Sequence, residues 1–206
     1  MSNRKITKIV ITGGPCAGKT TAMAQIKKVF SHLGYSLLFM PETATELISG
    51  GVAPWTMPSV LEYQSLQLSL QLKKEEIFTE AAQKLVNADK ILIVFDRGTM
   101  DNKAYMTDED FSCMLKAFSL TEQKLLASYD AVFHLVTAAK GARQFYTLDN
   151  NLTRTETPEQ AAEVDTHLSR AWSNHPAFTI IDSCADFDAK INHLIIEIAS
   201  FLGEKL

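Results

Sequence analysis

Short, largely apolar runs alternate along the chain with longer segments in which apolar positions recur every three or four residues. The runs are Ile6–Thr12, Ser36–Met40, Ile91–Phe95, Ala131–Val136 and Phe178–Ile181, and a strand apolar on both faces is what the middle of a parallel sheet requires. The first helical segment is Lys19–Leu33, with Ala22, Ile26, Val29 and Phe30 at helical spacing and Gly34 as its stop signal. Thr43–Ser49 follows the second strand and is broken by Gly50-Gly51; Val52–Pro58, with two prolines, reads as a loop. A long helix is predicted over Ser59–Asn87 and shorter ones over Asp101–Tyr105, Asp108–Lys116 and Thr121–Ser128. Ala138–Tyr146 is helical in pattern, and Thr147–Thr157 is a polar, mobile segment. Thr157 as N-cap, Pro158 in the first turn and Gln160 three residues after the cap start a helix that runs to Ser173; Asp186–Leu202 is the last. This alternation predicts one α/β domain over residues 1–206, a doubly wound five-stranded parallel sheet with a lid segment at about 138–157 and no repeat or linker.

Ligands of such sheets gather at the carboxyl ends of the strands. The first strand leads into Gly13-Gly14-Pro15-Cys16-Ala17-Gly18-Lys19-Thr20, a complete G-x-x-x-x-G-K-[ST] pattern between a strand and a helix. Phosphates carry several negative charges in a small volume. Backbone N–H groups hold them best where Gly13, Gly14 and Gly18 leave the amides accessible, and the following helix adds the positive end of its dipole. Lys19 is placed to reach the β- and γ-phosphates, and the Thr20 hydroxyl to ligate a bridging Mg²⁺. Gly13 to Thr20 together with Thr21 are therefore the candidate binding residues for ATP or GTP.

The other strand ends carry the remaining candidates. Asp96, after five apolar residues, stands where P-loop proteins place the carboxylate beside Mg²⁺, so Thr20 and Asp96 are the candidate metal pair. Arg97 either orients an acceptor with its two-pronged guanidinium or forms an ion pair with Asp101. Glu42, past the second strand, is either the base for an acceptor hydroxyl or a carboxylate favoured by a helix start. Gln64, Gln67 and Gln71 share one side of the long helix, as amides for a base or as a solvated stripe. Lys140, Arg143 and Arg154 surround the polar segment, which can close over a nucleotide; Arg154 is the candidate catalytic charge and Arg143 a nucleotide contact. Asp182-Ser183 and Asp186-Phe187 either meet the base or cap the last helix.

Composition narrows the class. A net charge of −4 argues against the basic face that nucleic-acid binding needs, so a nucleic-acid partner is not expected. Three widely spaced cysteines, Cys16, Cys113 and Cys184, suggest neither a disulfide framework nor a zinc site. With no signal-like N-terminus and no membrane-length apolar run, the expected setting is cytoplasmic.

Gly13 to Thr21, Pro41-Glu42-Thr43-Ala44, Asp96-Arg97-Gly98 with Asp101 and Ala104-Tyr105, and Arg154 to Trp172 followed by His175-Pro176 together resemble one family over nearly the whole length. This is the P-loop domain family related to nicotinamide-riboside kinases and to the nucleotide-binding half of TRPL-translocation-defect-type proteins; more distantly the chain is similar to thymidylate and deoxynucleoside kinases. The resemblance implies a parallel core with the Walker-A and Walker-B strands adjacent, and binding of ATP or GTP with Mg²⁺. It also implies a carboxylate at Glu42 and an acidic-Arg pair at Asp96-Arg97 serving the acceptor, and a lid with arginines around Arg143 and Arg154. Relatives with a lipid-binding domain carry it after this one, beyond the position of Leu206, so no membrane partner is expected. The reading is a small-molecule kinase acting on a nucleoside-like acceptor or nucleotide, with Lys19, Glu42, Asp96, Arg97 and Arg154 as its catalytic group. The alternative is a nucleotide-dependent switch that hydrolyses slowly and has no acceptor; an acceptor pocket separates the two.

Overall fold

The structure is a computed structural model and describes residues 4–140, 157–183 and 186–206. Five strands, β1 (Lys5–Thr12), β2 (Ser36–Met40), β3 (Lys90–Asp96), β4 (Ala131–Leu135) and β5 (Phe178–Ile181), form one all-parallel sheet in the order β2-β3-β1-β4-β5. The helices are α1 (Lys19–His32), α2 (Thr43–Ser49), α3 (Val60–Lys84), α4 (Asp108–Ala117), α5 (Glu122–Leu126), α6 (Pro158–Trp172) and α7 (Phe187–Leu202), with a 3-10 helix over Thr99–Tyr105.

Strand alternation splits the core in two. Ile9, Ile11, Leu92 and Val94 face α1 and α7, while Val10, Ile91, Ile93 and Phe95 face α3 to α6. All eight side chains are fully buried, each such residue contributing about 1.5–3 kcal/mol over exposure. Because β1 is central, the strand feeding the glycine-rich loop is hydrogen-bonded to the one ending at Asp96, with Ile11 opposite Asp96. The two loops are neighbours by register.

Helix starts follow local chemistry. Ser59, Thr107 and Thr121 each accept the backbone N–H three residues on, and Thr157 with Gln160 forms the reciprocal capping box expected of that sequence. The long helix stops at Lys84, short of Asn87, which adopts φ 55° in the left-handed region that ends helices. The short helix after β3 begins earlier than expected, at Thr99, and is 3-10. Residues 138–140 form a turn; the rest of the expected helix to Tyr146, and the polar segment through 156 with Arg143 and Arg154, lie outside the described residues. Among the described residues no helix is long and apolar enough to cross a membrane.

Candidate nucleotide and acceptor site

The glycine-rich loop connects β1 to α1 and is fastened by its carbonyls. Pro15 O accepts from the Thr137 hydroxyl, Cys16 O from Ala138 N at 3.4 Å, and Ala17 O from Lys190 Nζ at 2.9 Å. In a planar trans peptide the C=O and the next N–H point in opposite directions. Three consecutive carbonyls turned outward therefore turn the amides of Cys16, Ala17 and Gly18 into the loop, the arrangement that cradles an anion. Gly13 (φ 144°) and Gly18 (φ 93°) need their glycines: a Cβ would lie 2.2 Å from Leu135 O at the first and 2.6 Å from the Phe187 ring at the second. Lys19 is buried, with Nζ 3.4 Å from Gly13 O.

Gly14 departs from the expectation that its amide faces phosphate. Its N–H donates to Asp165 Oδ1 at 3.0 Å, on the protein side of the loop.

Asp96 and Arg97 emerge at the end of β3. Asp96 Oδ1 is buried without a hydrogen-bond partner among the described residues, and burial is the main cause that raises its pKa, against the lowering effect of Lys19. An orphaned, desolvated carboxylate oxygen fits a divalent cation. Among the described residues no three acidic, His or Cys side chains gather as a protein-only metal site.

Arg97 adopts φ 71°, uncommon for a side chain of this size and the kind of backbone strain that concentrates at functional sites. Its Nε donates to Glu42 Oε1, and its Nη1 lies 3.5 Å from Asp101 Oδ2. The ion pair with Asp101 that the sequence allowed is present, and the same guanidinium also pairs with Glu42. Asp101 is itself fixed by the Thr12 hydroxyl at 2.9 Å and by Trp172 Nε1.

Glu42 occupies the N-cap position of α2 but makes no side-chain cap. It turns instead to Arg97 and accepts from Thr45 Oγ1 at 2.7 Å. Burial pushes its pKa up; Arg97, Lys19 and the Thr45 hydroxyl outweigh that and hold it at about 2. Glu42, Arg97, Lys19 and Asp96 thus form one electrostatic cluster.

The α3 glutamines are not a solvated stripe. Gln64, Gln67 and Gln71 are all buried, as is Tyr63 beside them. Gln67 Nε2 lies 3.4 Å from Asn102 Oδ1 and Gln71 Nε2 3.5 Å from Arg97 O. Burial, then the negative charge of Glu42, pushes the Tyr63 phenol to about 12. Tyr63 Oη and Gln64 Oε1 have no hydrogen-bond partner among the described residues. Buried polar atoms left so are costly unless something else pairs them.

One turn beyond Gln71, Glu75 accepts from Tyr129 Oη at 2.6 Å and from Gln71 at 3.2 Å. Burial raises its pKa to about 7 despite those bonds. A carboxyl with a raised folded-state pKa stabilises the fold below its unfolded value near 4.5, and that contribution is lost as pH rises to about 7. Urea unfolding of the unaltered chain should therefore lose about 3 kcal/mol between pH 4.5 and 7.5 from this group, at 1.4 kcal/mol per pKa unit. Glu75→Gln should flatten that segment of the profile; an unchanged slope would refute the assignment.

The remaining candidates separate. Asp186 caps α7 through Asp188 N and Ala189 N, the structural one of its two readings, while Phe187 covers Gly18. Asp182 is exposed and, with Ser183, borders a groove of about 600 Å³ shared with His134, Lys140 and Asp165. Thr20 and Thr21 are exposed at the start of α1. Sequence reasoning missed Asp165, Tyr63 and Lys190. For Asp165 a signal existed: Ala161, Asp165, Leu168 and Trp172 recur at helical spacing, and a carboxylate on that apolar stripe calls for a buried partner.

A comparison with curated proteins gives no sequence match. Among solved structures the fold is similar to that of a deoxyadenosine kinase from M. mycoides with bound dATP, at 17% identity over 93% of this chain and 98% of that one, with a TM-score of 0.59. The fold is thus an α/β P-loop kinase-like one. The family model described as AAA domain matches residues 8–190, and the chain belongs to that P-loop family.

Proposed function

We propose that the protein is a small-molecule kinase that transfers the γ-phosphoryl group of ATP or GTP to a nucleoside-like acceptor or nucleotide, in the manner its resemblance to nicotinamide-riboside and deoxynucleoside kinases implies. The observation that carries this reading is the wall beside the loop. Glu42 and Arg97 are paired next to Lys19; Tyr63 Oη, within reach of the Glu42 charge, and Gln64 Oε1 on the same helix lie buried without a partner among the described residues. A switch that hydrolyses nucleotide needs the loop and a water, not a buried polar wall; an acceptor with its own hydroxyls and amides would pair those atoms.

In this reading Lys19 and the loop amides of Cys16, Ala17 and Gly18 hold the phosphates. Thr20 and Asp96 would hold Mg²⁺, which supplies charge neutralisation to the phosphates. Arg97 orients the acceptor and Glu42 accepts a hydrogen bond from its attacking hydroxyl. Arg143 and Arg154 are assigned to the lid at about 138–157, and Asp182 to the rim of the base site. Catalysis is then mainly positioning and electrostatics. The expected compartment is the cytoplasm.

Nucleosides, nucleoside monophosphates and nicotinamide riboside, screened for stimulation of ATP and GTP consumption, test the assignment. At least one should stimulate turnover severalfold and emerge phosphorylated. Tight nucleotide binding with no stimulation by any acceptor would replace the kinase reading with the switch.

A further inference from the structure

Resting on the reading of the loop as a nucleotide site, we propose that Asp165 of α6 is a positioning residue that sets the orientation of the phosphate loop without touching phosphate. Its side chain is almost wholly buried. Oδ1 accepts from Gly14 N at 3.0 Å and from Thr137 N at 3.1 Å, and Oδ2 accepts from Lys140 Nζ at 3.0 Å. Fully buried His134 places Nε2 3.2 Å from Oδ1. One carboxylate thereby joins the first turn of the loop to the segment leaving β4.

The consequence for the loop follows from peptide geometry. Holding Gly14 N–H outward turns the Gly13 carbonyl inward, where it meets Lys19 Nζ. Thr137, Ala138 and Lys190 hold the carbonyls of Pro15, Cys16 and Ala17 outward and so send the amides of Cys16, Ala17 and Gly18 inward. Asp165 fixes the point at which the polarity of the loop reverses, and it also fixes Thr137, which holds Pro15. A negative charge so close to a phosphate site opposes anion binding by Coulomb repulsion. Lys140 offsets that charge; burial raises the carboxyl's pKa, but the His134 contact, the Gly14 amide and Lys140 outweigh it and hold the pKa at about 2, leaving the group ionised. A group whose charge works against the ligand is retained for where its oxygen sits.

Position and charge can be separated by substitution. Asp165→Asn keeps an acceptor oxygen at the same place and removes the charge; Asp165→Glu keeps the charge and moves the oxygen by one methylene. With Mg·ATP and Mg·GTP as probes in calorimetric titration, Asp165→Glu and Asp165→Ala should weaken binding about tenfold or more, the order lost when a support to a preorganised site is displaced. Asp165→Asn should restore affinity to within about threefold of the unaltered chain, since the two amides regain their acceptor. If Asp165→Ala does not fold, the Asn and Glu pair carries the comparison. A role in stability alone would lower the melting temperature and leave affinity per folded molecule unmoved. Equal affinity in Asp165→Glu and the unaltered chain overturns the inference, as does equal loss in Asn and Glu, which would assign the effect to charge. Binding of neither nucleotide by the unaltered chain would overturn the phosphate-site reading itself and this inference with it.

Discussion

Lys19→Ala is expected to lower kcat/KM for acceptor phosphorylation at least about a thousandfold, equivalent to about 4 kcal/mol of transition-state stabilisation. Lys19 is the buried cation of the loop, aimed at the inward carbonyl of Gly13, and its charge reaches both Glu42 and Asp96. Glu42, Asp96 and Asp101 carry three negative charges at the strand ends, against which stand Arg97 and Lys19. Removing Lys19 leaves that cluster more negative where a polyanionic nucleotide must approach, so ground-state binding and transition-state charge stabilisation fall together. Lys19→Arg should rescue little, because a planar guanidinium cannot replace a compact ammonium inside the loop. Steady-state kinetics, with circular dichroism to confirm the fold, read the effect. Retention of more than a tenth of the activity by Lys19→Ala would show that the lysine does not hold the transferred phosphate.

The parts of this site differ in how far local sequence determines them. Strands β2 and β5 and helix α2 run between the same residues in sequence and structure, because each is a short apolar or helical run bounded by turn residues such as Gly50-Gly51. The phosphate loop was legible for the same reason: its chemistry lies in eight consecutive residues. The position of Asp96 was legible because an apolar strand ending in a carboxylate leaves that carboxylate at the strand's carboxyl end.

Long-range pairing was not legible. Whether Glu42 caps a helix or joins a cluster depends on Arg97, 55 positions away; whether Gln67 meets solvent depends on Asn102, 35 away. Asp165 finds Gly14 across 151 positions. In each case the local pattern allows two outcomes of similar free energy, and the packing of another element selects one. Gly14 shows the cost of reading the loop alone: accessibility of a glycine amide says nothing about which side of the loop the amide faces.

Glu42→Gln is expected to lower kcat by about a hundredfold while nucleotide affinity stays within about threefold. The carboxylate contacts Arg97 and Thr45 rather than the loop amides, so its loss should leave the nucleotide's own contacts in place. Its chemistry is set by its pKa of about 2, held there by Arg97 and Lys19 against burial. So weak a base removes little of an alcohol's proton in the ground state. It suits a loose phosphoryl-transfer transition state, in which the hydroxyl loses its proton late and mainly needs to be aimed. Because Glu42 stays ionised from pH 5 to 8, kcat of the unaltered chain should show no acid limb from this residue. Glu42→Gln should lower the profile uniformly across that range without moving any inflection. An inflection between pH 5 and 8 that disappears in Glu42→Gln would mean a carboxyl titrating with bound substrates, and Glu42 acting as a true general base. Equal losses in kcat and nucleotide affinity would instead give the Glu42–Arg97 pair a role in holding the two strand ends together, and leave the acceptor hydroxyl without its partner at this position.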